Sequence, residues 1–108
     1  MQNNRRVLAH YVVYQGRVFK NSILASNFSK GFIVEQFTHE VASTEFVSGV
    51  VAVCDEDINI DLIKRKFESR QSMFDFAQYL LPYSKTTNKQ LVVLKFYSDG
   101  KMLILQDL

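Results

Sequence analysis

The chain has no tryptophan, one cysteine, one proline and four glycines in 108 residues. A lone cysteine, Cys54, cannot close an intramolecular disulfide, which fits a reducing compartment. So little glycine and proline argues against a linker-rich or low-complexity chain. The formal net charge is only +2, too small to imply a polyanionic partner. No apolar run approaches the ~18 residues of a membrane span. Residues 1–6 are polar and lack the continuous apolar core of a signal peptide. We therefore expect a soluble, cytoplasmic chain without a membrane partner.

What is present points to one packed domain over residues 1–108. Nearly half the residues are apolar, with nine Phe and five Tyr, enough to bury a core without staples. The first six residues are expected to be flexible. Val7 to Tyr14 is β-branched, aromatic or apolar and predicts a strand buried on both faces. Gln15-Gly16-Arg17 is a turn signal, followed by a strand from Val18 to Ala25. Ser29-Lys30-Gly31 predicts a turn, and Phe32 to Phe37 alternates as a strand. Thr38 to Thr44 is polar and reads as a loop before a strand over Phe46 to Val53.

The period then changes. Asp55-Glu56-Asp57 suits a helix N-terminus, and Ile60, Ile63 and Phe67 recur at helical spacing. A second helix is expected from Ser72, whose hydroxyl can cap it, with Asp75 three residues on. Its buried stripe is predicted as Phe74, Ala77 and Leu81, joined by Leu80. Pro82 should end it. Together these form a helical insert over 57–82. Asp99-Gly100 between two apolar runs predicts a two-residue hairpin turn within 91–107. That turn would set Phe96 opposite Leu103 and Tyr97 opposite Met102. The expected fold is mainly β, α+β by content. It is a small β-sandwich or partly open barrel, with two short helices inserted before a C-terminal hairpin. The helices should pack against one open end or edge.

The motif search yields fragments of sites. His39-Glu40 lacks the second histidine four residues on that a zinc hydrolase helix requires, because Ser43 stands there. His10, placed on one strand face with Leu8, Val12 and Tyr14, is a candidate base or ligand without a signalled carboxylate partner. Cys54 adjoins Asp55 and Glu56, which oppose thiolate formation. Cys54, Glu56 and His10 are the weak metal-ligand candidates. Lys64, Arg65, Lys66 and Arg70 form the basic cluster a nucleic acid would use, without the interleaved aromatics such surfaces carry. No phosphate-cradling glycine loop or nucleophile elbow appears, and no cofactor is expected.

The segment "AHYVVYQGRVFKNSILAS", a turn, "GFIVEQF", a polar spacer and "FVSGVVAV" resembles the amino-terminal β-region of the amidohydrolase superfamily. The closing "LVVLKFYSDGKMLIL" is similar to the carboxy-terminal strands that return to the same small sandwich. The resemblance covers about two thirds of the chain and rests on alternation, glycines and length. Ser48 stands where that family usually has proline. At the positions of the family's first two histidine ligands the chain has Cys54 and Glu56, and two helices replace the barrel. The resemblance thus implies an accessory sandwich without catalytic residues. The expected function is a non-catalytic module that binds a partner protein or itself. The alternatives are a small-molecule-binding or vestigial hydrolase-like module and a weak nucleic-acid binder.

Overall fold

The computed structural model describes residues 6–27, 31–36, 44–55, 57–69, 72–85 and 91–105. Six strands form one mixed sheet: β1 (Arg6–Tyr14), β2 (Arg17–Asn27), β3 (Gly31–Gln36), β4 (Thr44–Asp55), β5 (Leu91–Tyr97) and β6 (Met102–Leu105). Their spatial order is β3-β2-β1-β4-β5-β6. β1 and β4 run parallel at the centre, and the other neighbours are antiparallel. Helices α1 (Ile60–Phe67) and α2 (Met73–Tyr79) and a 3-10 turn (Leu81–Ser84) lie between β4 and β5. The mainly-β fold with two helices before a closing hairpin is the one the pattern predicts.

The single sheet folds over itself and does not close into a barrel. Tyr14 is paired with Arg17 and Phe32 with Ser26. On a straight β2 those partners would lie roughly 30 Å apart. Yet the Tyr14 and Phe32 rings are 6.2 Å apart, and the Tyr14 hydroxyl donates to the Phe32 carbonyl. A crease across three strands makes this possible. In β4 an extra residue at Ser48–Gly49 shifts the register between the Ala9–Val47 and Tyr11–Val50 pairs, as a β-bulge does. On β2, Asn21, level with His10, takes a positive φ of 49°, a conformation asparagine tolerates better than most residues. Gly49 is forced at the crease, because a Cβ there would collide with the Phe96 carbonyl oxygen.

The crease also corrects the expected side-chain pattern. Alternation in β1 slips between Ala9 and Val12. Val7, Ala9, Val12 and Tyr14 all face the inside of the fold, with Leu24, Val47, Val51, Val53 and Val93. Tyr11 and Val13 face the helices. His10 therefore does not share a face with Val12 and Tyr14. It sits at the slip, against the ring of Phe46.

The helices cover one face of the sheet rather than an end or edge. Ile63, Phe76, Ala77 and Leu80 pack on Val13, Val50, Ala52, Cys54, Val92, Leu94 and Phe96. Helix α1 buries its expected stripe around Ile63, with Ile60 and Phe67 half-buried against the same core. Its cap is Asn59, whose side chain accepts from the Leu62 amide. The acidic run begins a turn earlier, where Asp55 accepts from the Asp57 amide. In α2 the Ser72 hydroxyl accepts from the Asp75 amide as expected. Its buried stripe, however, is Phe76, Ala77 and Leu80, and Phe74 is exposed. Pro82 is the second residue of the 3-10 turn, which ends in Ser84. The buried Ser84 hydroxyl accepts from the Gly16 amide and so ties the β1–β2 turn to the helices.

The final hairpin is shifted by one residue in register from the prediction. Phe96 pairs with Met102 and Lys95 with Leu103. The loop is three residues, Ser98-Asp99-Gly100, with the Gly100 φ at 94° and the Gly100 amide bonded to the Tyr97 carbonyl. Such a loop places its glycine in the left-handed position of a bulge. The Asp99 carboxylate accepts from the Lys101 amide and fixes that choice.

Candidate functional site

A groove lies between the end of α1 and the start of α2 on one side and the β5–β6 hairpin on the other. Its floor comes from three elements. Phe67 ends α1, Phe76 sits in the middle of α2, and Phe96 is near the end of β5. Their ring centroids are 4.7–5.3 Å apart in a mutually tilted triangle, the edge-on geometry aromatic pairs favour. Two lobes share Phe67, Glu68, Tyr97, Asp99 and Gly100, with volumes of about 550 and 650 Å³. The bare Cα of Gly100 keeps the hairpin side low.

The two lobes differ in charge. The first, bounded by Met73, carries Glu68 and Asp99 and no cation. The second, reaching Met102, adds Lys64 and Lys101. All four charged side chains are exposed. Helix and hairpin each contribute one charge of either sign, so the first lobe is acidic and the second mixed, with the Lys101 ammonium 3.9 Å from the Asp99 carboxylate.

A second polar feature lies inside the fold of the sheet. The Lys95 side chain is 1% exposed, and its ammonium donates to Glu45 Oε2 at 2.7 Å. Lys95 pairs with Val51, six residues beyond Glu45 on β4. The crease is what returns Glu45 to it. The Tyr97 hydroxyl lies 3.5 Å from the same oxygen. Loss of water contact and the Glu45 charge both hold the Tyr97 phenol above its usual range.

The expected site residues are dispersed. Cys54 is buried beneath the helices, and burial, reinforced by Asp55, pushes its thiol up to about 12. A thiol so protonated is a core side chain and a poor nucleophile or ligand. His10 lies at the crease, its ring 5.7 Å from that of Phe46. Its Nδ1 is buried without a hydrogen-bond partner, as are Arg6 Nε and Thr44 Oγ1. Glu56, Arg70, His39, Glu40 and Ser43 lie outside the described residues. Among the described residues no three His, Cys, Asp or Glu side chains are placed to hold a metal ion. Lys64, Arg65 and Lys66 are exposed in the last turn of α1, where cations complement the helix dipole. Lys66 lies over the Tyr79 ring at 5.2 Å. Lys64 belongs to the groove.

The groove was hidden in the sequence because its floor is drawn from residues 67, 76 and 96. Each reads as a core position by period alone. The readable signal was the hairpin glycine beside charged residues. No helix of the described residues is long and apolar enough to cross a membrane. Comparison with protein-family models, curated proteins and solved structures returned no match.

Proposed function

We propose that this chain is a non-catalytic, cytoplasmic interaction module whose groove takes an apolar side chain from an extended polypeptide. On this reading it is the kind of small accessory β-domain that amidohydrolases carry beside their barrel. The three-ring floor under an exposed, charged rim carries the proposal. Such an arrangement offers an anchor pocket ringed by polar groups, the usual anatomy of a protein interface. Among the described residues β6 pairs only with β5, and its Met102 borders the groove, so a bound segment can also pair its backbone with the sheet.

The test pans a random peptide library on the immobilised 108-residue chain. Recovered peptides should share an aromatic or aliphatic anchor. Met73→Glu, which suits the first turn of α2 but charges the groove, should weaken them at least tenfold by fluorescence anisotropy. No enrichment, or binding indifferent to that change, would reject the reading. A second reading, a small-molecule site, draws on the lobe volumes, which fall in the range of small-ligand pockets. Small aromatic fragments that shift groove resonances, with no peptide enriched, would favour it. Nucleic-acid binding through Lys64, Arg65 and Lys66 has only the exposed helix turn behind it. Absence of oligonucleotide binding at low salt would remove it.

A further inference from the structure

We infer that the polypeptide segment held in the groove carries an arginine or lysine beside its apolar anchor, on the Met73 side. The inference rests on the groove being a docking site and adds the chemistry of its partner. The sign of the first lobe carries it. Among the described residues Glu68 and Asp99 are the only charged side chains that line this lobe. They stand on opposite walls, Glu68 at the C-cap of α1 and Asp99 in the hairpin loop. The C-terminal end of a helix carries partial negative charge, which adds to theirs. Lys101 lies near Asp99 but lines only the second lobe, and both side chains of that pair are mostly exposed. So open a pair is weak, and it leaves Asp99 able to meet another cation. Glu68 has no ion pair among the described residues. The second lobe sets Lys64 and Lys101 against the same two carboxylates and favours neither sign. Any preference for charge therefore belongs to the Met73 side. The half-buried Phe67 and Met73 there suit a side chain with an apolar stem. Arginine and lysine lay their methylenes on such a surface and keep the charged head in water, here between Glu68 and Asp99. An acidic residue in that place would be repelled from both walls.

The peptides recovered on the 108-residue chain test this. They should carry Arg or Lys within about two residues of the anchor, the reach of neighbours on one face of an extended segment. Changing that residue to Gln should weaken binding about fivefold at low salt by fluorescence anisotropy, the scale of exposed charge pairs. Against a chain with Glu68→Gln and Asp99→Asn, the same peptide change should cost less than about twofold. Asparagine at 99 keeps an oxygen that can accept from the Lys101 amide, and both side chains are exposed, so circular dichroism should show the variant folded. Asp61→Asn removes an exposed carboxylate of α1 that does not line the groove, and it should leave the preference intact. On the wild type, added salt should weaken the basic peptide more steeply than its Gln form. Anchored peptides with no basic preference would overturn the inference and leave the groove as a docking site. So would a basic residue that counts equally on the wild type and on the double variant, or a preference lost with Asp61→Asn, which would assign it to net charge. No enriched peptide would remove the groove reading and this inference together.

Discussion

Lys95 brings a full charge into the bend of the sheet, and Glu45 meets it from the opposite limb. Removing one member of a buried pair leaves the other without compensation, whereas an apolar replacement of the buried member can be close to neutral. Glu45 is 38% exposed, so water offsets part of the loss. We expect Glu45→Gln to cost about 2–3 kcal/mol in urea unfolding. Lys95→Met, similar in shape and apolar, should stay within about 1 kcal/mol of the wild type. Equal losses for the two would show that shape rather than charge holds the bend. Cys54 makes a prediction in pH. Its thiol ionises near 12 when folded and near 9.0 as an unperturbed group. Its contribution to stability is therefore complete below pH 9 and falls above it, as the unfolded chain alone loses the proton. The slope between these values approaches 1.4 kcal/mol per pH unit, an order-of-magnitude figure. Cys54→Ala should flatten that slope in denaturation curves taken from pH 8 to 10.5. In the native chain the thiol should resist alkylation at pH 8 until denaturant is added.

Element boundaries follow local chemistry where one residue decides them. Ser72 caps α2 through the Asp75 amide, and Ser72→Ala should cost about 1 kcal/mol with faster amide exchange in the first turn. An unchanged exchange rate would mean that packing alone sets the start of α2. That cap was legible because a hydroxyl three residues before an acidic residue is a strong local pattern. The start of α1 was harder to read. Three acidic residues at 55–57 drew the boundary forward, while the working cap is Asn59. The hairpin shows the limit of a dipeptide signal. Asp99-Gly100 suits a two-residue turn, but the Asp99 side chain bonds the Lys101 amide. That bond selects a three-residue loop and shifts every pair by one. Neither the crease nor the groove had a local signature. The slip at His10, Asn21 and Ser48–Gly49 exists only when three strands are side by side. Likewise, Phe74 and Phe76 could not be ranked until the sheet fixed which face of α2 is covered.

At the scale of the molecule, the inner core and the helix-covered core share the same strands. Val12 and Val51 belong to one, Val13 and Val50 to the other. Neither layer can melt without the other. Urea unfolding followed by far-ultraviolet circular dichroism and by tyrosine fluorescence, with no tryptophan to mask it, should give one coincident transition. Two midpoints would divide the domain in a way the shared strands do not allow. The central position of β1 has a further effect, during synthesis. β1 and β2 leave the ribosome first and can form a hairpin at once, but the inner flank of β1 waits for β4, from Arg6 to Thr44 along the chain. At usual translation speeds that interval is about two to eight seconds. For that time the nascent chain displays a bare, valine-rich strand edge, the state that ribosome-associated chaperones recognise.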